Sequence, residues 1–279
     1  MKRVLSGLLA VVASAVFAET VEIRTVADLR SVAANLGATY ELMNDIDLSG
    51  VPFEPIGGVD GWGADAFTGT FHGNGHKIVG LKINDTGSYG YVGLFRETSG
   101  ATVTDLQIVG EVTGRDKYCG GLVGRSVDSH FSNCVVQVAL SGGQYTGGFV
   151  GSDSSGSRYV RCVARGTIQI ANTYCGGFVG RAAGEYRQCV SSMSASAPKG
   201  DGGWVEYGGF VGLNNGATFR DCAATGSLTV KNNNYFGGFV GCADTGTISP
   251  AMNASWRSAV RYASNREHIL RWLRGACDR

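Results

Sequence analysis

The chain has 279 residues with 24 Lys and Arg against 23 Asp and Glu, and Gly supplies 44 positions while Pro supplies 4. A near-neutral balance carries no long-range field for phosphate backbones or anionic lipids, which excludes nucleic acid as a natural partner. Gly is about 16% of the chain, roughly twice the usual share; without Pro, that excess excludes collagen and signals many tight turns between strands.

From the N-terminus, Lys2 and Arg3 precede an uncharged, mostly apolar run from Val4 to Phe17 that ends Val16-Phe17-Ala18. A short basic region, an apolar stretch and small residues before a cleavage point describe a secretory signal peptide, residues 1–18. The run is shorter than the roughly 20 apolar residues a membrane span needs. Cleavage after Ala18 removes two of the 24 basic residues and leaves 22 against 23 acidic, with no membrane span expected in the mature chain. The expected location is secreted, periplasmic or cell-surface in a bacterium.

Residues 19–39 are expected to form an N-terminal cap. Apolar residues at 26, 29, 32, 33 and 36 give a short amphipathic helix, suited to closing the open end of a core and blocking edge association. Residues 40–249 form the body. They open with Met43-Asn-Asp-Ile-Asp-Leu48, Pro55-Ile-Gly57 and Phe67-Thr-Gly-Thr-Phe-His-Gly-Asn-Gly-His-Lys-Ile78.

Self-similarity then takes over. Cys119-Gly-Gly-Leu-Val-Gly124 recurs as Thr146–Gly151, Cys175–Gly180, Tyr207–Gly212 and Phe236–Gly241, after a degenerate copy at Tyr91–Arg96. The copies end 28, 27, 29, 32 and 29 residues apart. A second column keeps step with them: Val103…Leu106, Phe131…Cys134, Tyr159…Cys162, Tyr186…Cys189 and Phe219…Cys222. Between the motifs, Thr167-Ile-Gln-Ile170 and Ser227-Leu-Thr-Val230 alternate at strand period. Three strands of about five residues and three turns fill 28 residues, one turn of a three-sided coil. The period is too short for a propeller blade, and the handedness of parallel crossovers predicts a right-handed coil. The fold class is all-β, a right-handed parallel β-helix of seven or eight coils. Stacking places Leu122, Phe149, Phe178, Phe210 and Phe239 in one buried ladder, with glycines taking positive φ at the corners.

The Gly-Gly-(Leu/Phe)-Val-Gly unit, with its lead-in, resembles the GLUG motif of large bacterial secreted and surface proteins. These include non-catalytic regions of some immunoglobulin-A-cleaving metalloproteases and adhesin-like proteins. The resemblance spans about residues 40 to 248 and implies a β-helix in an extracellular setting, with no chemistry attached to the motif itself.

Candidate chemistry is sparse. The His-Glu-x-x-His of the metalloproteases is absent from the sequence, and His72, His76, His130 and His268 sit in no zinc spacing, so no metal or cofactor is expected. Paired carboxylates, the minimum for glycoside hydrolysis, are offered by Asp45 with Asp47, Asp60 with Asp65, and Asp85. Backbone bonding at the coil entrance accounts for the first pair more simply. Tyr118, Tyr145, Tyr174 and Tyr235 share a column before the Gly pair and form a ligand-binding stripe for sugar rings or a partner protein, unless they ladder merely as good strand residues. Cys134, Cys162, Cys189 and Cys222 are expected to remain reduced, because ladder neighbours about 4.8 Å apart exceed the roughly 3.8 Å Cβ separation of a disulfide.

The pattern stops after Thr245-Gly-Thr-Ile248. Pro250 cannot donate to a ladder, no Gly occurs between it and Arg274, and Ile269, Leu270 and Leu273 take helical spacing after Asn265. The array is therefore expected to end at Ser249, with residues 250–279 forming either a helical C-terminal cap or a disordered tail. Cys242 and Cys277 fall outside the ladder and are available to pin that cap. The functional expectation is a non-enzymatic secreted or surface structural and binding protein, adhesin-like, whose partner is a glycan or a cell-surface protein. The alternative is a carbohydrate-active enzyme or carbohydrate-binding module on the same scaffold.

Overall fold

The computed structural model describes residues 20–57, 65–85, 90–114, 117–154, 156–170, 174–197, 206–230, 235–245 and 253–258. The signal peptide, Asp60, His268 and Cys277 lie outside the described residues. The described chain winds as a parallel β-helix, as the repeat predicts.

One coil shows the path of all. The chain runs through a corner strand, Lys117–Gly120, a motif strand, Val123–Val127, a short strand, His130–Ser132, and a long strand, Val135–Gly142. Stacking of coils builds a long face and a short face of eight strands each, a motif face of six and a corner face of five. Pairing is parallel and keeps equivalent residues together, as in Val135, Val163, Val190 and Ala223 down the long face. Three equal strands per coil is thus corrected. The Gly pair breaks the motif into two strands, while alternating burial extends the long strand to eight residues.

The interior is two crossed aromatic ladders. Phe149, Phe178, Phe210 and Phe239 stack with centroids 4.7–4.8 Å apart and planes within 6°. Phe131, Tyr159, Tyr186 and Phe219 form a second stack at 4.6–5.0 Å. The second stack meets the first edge-on, at 80–89° and 5.5–6.0 Å. Edge-to-face contact places the positive rim of one ring on the negative face of the next, so each ladder fixes the other's rotamers. Val123, Val150, Val179 and Val211 are buried too, so both columns of the motif line the core.

Cys134, Cys162, Cys189 and Cys222 lie buried as free thiols beneath the short face. The Cys162 thiol points at the Val160 carbonyl and the Cys189 thiol at that of Arg187. Burial pushes the Cys162 thiol far above its ordinary pKa, which keeps it protonated and inert.

At the N-terminal end, Thr25 and Asp28 close a capping box: the Thr25 hydroxyl accepts from the Asp28 N–H at 3.2 Å, and the Asp28 carboxylate accepts from the Thr25 N–H at 2.8 Å. The helix Val26–Ser31 follows, then a 3-10 turn at Val32–Ala34, and together they bury Leu29 and Val32 against the first coil. The region 19–39 is more than a cap, because Thr20–Ile23 already pairs with Thr39–Leu42 as the first rung of the short face.

The array does not end at Ser249. Asn253–Ser258 adds an eighth strand to the long face, from Ala223 opposite Asn253 to Leu228 opposite Ser258. A proline withholds a donor at its own position alone, and this strand starts three residues later. The helix expected after Asn265 lies outside the described residues.

Candidate functional site: a tyrosine column at the corner

The corner strands carry the tyrosines on the outside of a sharp bend. Tyr118, Tyr145 and Tyr174 all have positive φ, at 51°, 56° and 58°. A side chain in this region costs about 1–2 kcal/mol relative to right-handed backbone. The bend fits because the last Gly of each motif passes directly under the tyrosine of the coil before. A Cβ on Gly151 would lie 2.5 Å from the Tyr118 carbonyl carbon, and Gly180 and Gly212 stand in the same relation to Tyr145 and Tyr174. The motif glycines were expected to supply positive φ at the corners. The tyrosines take it instead, and these glycines supply room for close backbone approach.

The rings form a column. Tyr118 and Tyr145 stack at 5.2 Å with planes 10° apart, as do Tyr145 and Tyr174 at 5.2 Å and 8°. The column begins one coil earlier than the motif suggests, with Tyr91 at 5.1 Å from Tyr118 and tilted by 58°. All four rings are half-buried. The Arg125 guanidinium lies over the Tyr91 ring, 5.6 Å from its centroid, and pairs with the Glu97 carboxylate. In the coil after Tyr174 the equivalent position is Glu206, which is itself opposite Tyr235 in backbone register. Among the described side chains the column runs from Tyr91 to Tyr174.

Stacking decides what the column can do. Tyr118, Tyr145 and Tyr174 cover one another's faces and Arg125 lies over the Tyr91 ring, so the column presents mainly rims and phenol ends at a regular step.

The carboxylates considered for acid–base work are dispersed. Asp45 accepts from the Lys77 N–H at 2.9 Å and faces His76 Nδ1 at 3.3 Å, and the Lys77 bond holds its pKa below the usual value. Asp47 accepts from the Ser49 N–H at 2.8 Å, and the Ser49 contacts lower it likewise. Asp85 pairs with Arg96 at 2.7 Å, and Asp65 is exposed. His72 Nδ1 sits 2.9 Å from the Thr104 hydroxyl, and His130 lies on the short face. No three His, Cys, Asp or Glu side chains converge among the described residues. A shallow groove of about 540 Å³ crosses the outer long face beside Ser49, Lys82, Glu111, Gln137 and Thr167. Glu111 is its one carboxylate, and the candidate acids lie elsewhere.

Fold and column together define a parallel β-helix with an aromatic surface stripe. Two solved structures share the fold. A candidate immunoglobulin A1 protease from Bacteroides ovatus matches with TM-score 0.69 at 18% identity, over 88% of this chain and 79% of the other. A second, named IgA1 Protease, matches with TM-score 0.60 at 17% identity, over 84% of this chain and 19% of the other. By sequence the chain is 31% identical over 228 residues to halomucin of Haloquadratum walsbyi, spanning 75% of this chain but 2% of that relative's length. No protein-family model matches the chain. The expectation of a non-enzymatic chain is corrected by these neighbours: both solved structures are named as proteases, so this fold carries no exclusion of enzymatic activity. No helix among the described residues is long and apolar enough to cross a membrane.

Proposed function

We propose that the chain is a binding module of a secreted or surface protein, a GLUG-type β-helix that displays the Tyr91–Tyr174 column to a glycan or a cell-surface protein. The observation that carries this reading is the tyrosine at a strained corner. The other positive-φ corner holds Asp105, Asn133, Arg161, Gln188 and Asp221, so its bend accepts several residue types. Asn or Gly would relieve the strain at the first corner. The sequence nevertheless repeats Tyr there in successive coils, which fits selection for the ring. A surface tied to partners by rims and hydroxyls suits Tyr, whose amphipathic ring is enriched where one side is apolar and the other wet.

The test is a survey of glycans and cell-surface extracts with the chain beginning at Glu19, beside a Tyr118→Ala/Tyr145→Ala variant of unchanged circular dichroism. Binding by the parent that the variant loses supports the column as the site. Equal binding by both removes it.

A further inference from the structure

We infer that the tyrosine column reads a neutral, extended β-1,4-linked polysaccharide, one sugar per tyrosine, laid along the axis of the solenoid. The inference rests on the column being the binding surface and adds the class of ligand.

Three observations carry it. The first is the step: 5.1 Å from Tyr91 to Tyr118, then 5.2 Å twice. In a β-1,4-linked chain both glycosidic bonds leave each chair equatorially from opposite ends, so the length of the ring itself sets the rise per sugar, and that rise nearly equals the tyrosine step. An α-1,4 link leaves axially and coils the chain out of phase within a few units. The second is the orientation of the rings. Since stacking joins Tyr118, Tyr145 and Tyr174 face to face, recognition there falls to rims and phenol ends, which meet the hydroxyl-bearing edge of a sugar ribbon and not its flat face. Successive sugars of such a ribbon are turned by about half a turn, so neighbouring tyrosines meet the ring-hydroxyl edge of one sugar and the hydroxymethyl edge of the next, a hydroxyl group at every rung. The third is charge. The Arg125 guanidinium that lies over Tyr91 is paired with Glu97, which at that end favours an uncharged ligand over a carboxylated or sulfated one.

Titration calorimetry with chito-oligosaccharides of two to six sugars, beside malto-oligosaccharides of the same lengths, tests this. Affinity for the chito series should climb to four sugars, the number of tyrosines, and level off. The malto series should bind at least about tenfold more weakly at four sugars. Tyr145→Phe keeps the ring and its stacking but removes the hydroxyl, and should weaken the tetramer about two- to tenfold with the melting temperature unchanged. No binding of the chito series, no gain beyond two sugars, equal binding of the malto series, or an indifferent Tyr145→Phe overturns the inference. A surface partner lost with Tyr118→Ala/Tyr145→Ala in the presence of any of these results leaves the column a binding site and refutes its glycan class alone.

Discussion

Gly151 lies so close beneath Tyr118 that a methyl group on it would stand 2.5 Å from the tyrosine's carbonyl carbon and 2.6 Å from the Gly124 oxygen. The contact is backbone on backbone, so no rotamer change relieves it. Because Tyr118 is held at positive φ by the same corner, the glycine and the tyrosine column belong to one device.

Gly151→Ala should therefore destabilise the protein by overpacking, about 1–3 kcal/mol, and disturb the tyrosine stack. Urea unfolding gives the first quantity and near-ultraviolet circular dichroism the second. A neutral substitution with unchanged aromatic signal would contradict the close approach.

Phe178 is the middle rung of the motif ladder, stacked on Phe149 and Phe210 and edge-on to Tyr159 and Tyr186. Phe178→Ala should cost about 3–5 kcal/mol by leaving a cavity, against about 1 kcal/mol or less for an exposed change such as Gln169→Ala. Comparable midpoints for the two variants would mean that the ladder does not hold the coils.

The columns that repeat were legible in the sequence, and what occurs once was not. The Phe and Cys columns recur in register, so stacking alone placed them inside. Tyr91 was hidden because its copy has a single Gly where the others have two, and one missing residue shifts the tyrosine out of the written column; the pairing of Val92 with Cys119 restores it. The strand Asn253–Ser258 lacks both Gly and the aromatic column, so pattern reading ended too early. Glycine was read through its conformational freedom, whereas in the motif its missing side chain is what the neighbouring backbone needs. Asp153 gave no signal at all, since Ser126 is its partner in the coil before and the register of Ser152 with Arg181 puts Ala182 beside it in the coil after.

Among the described residues Cys119, Cys134, Cys162, Cys175, Cys189 and Cys222 are buried and carry no disulfide, while Cys242 is disulfide-bonded. Burial raises the Cys119 pKa to about 12, which suppresses its thiolate at neutral pH. Thiol reagent should thus label almost nothing in the native protein within minutes and six thiols after unfolding without reductant. Peptide mapping that finds Cys162 joined to Cys189 would defeat the reduced ladder.

Asp153 is fully buried at the bend between the motif and short faces, where its carboxyl oxygens accept from the N–H groups of Ala183 at 2.6 Å and Gly184 at 2.9 Å. It thereby ties one coil to the turn of the next. Burial raises its pKa to about 7, opposed by those two N–H groups, by the neighbouring Tyr186 phenol and by Arg181; Tyr159 lies nearby as well. The native state thus binds a proton that the unfolded chain, with an ordinary carboxyl near 3.8, gives up more easily. A raised folded-state pKa stabilises fully below the unfolded value, and that contribution disappears as pH rises through the folded value. Between pH 4 and 7 the Asp153 contribution to stability should therefore fall with rising pH, opposite in sign to the contribution of Asp45, whose pKa is lowered. Asp153→Asn cannot ionise, and its amide can accept from one of the two N–H groups but not from both. It should lower stability at pH 5 and cancel most of this slope. Melting temperatures of both proteins from pH 5 to 8 decide the matter: parallel curves would show that the buried carboxyl does not titrate in this range.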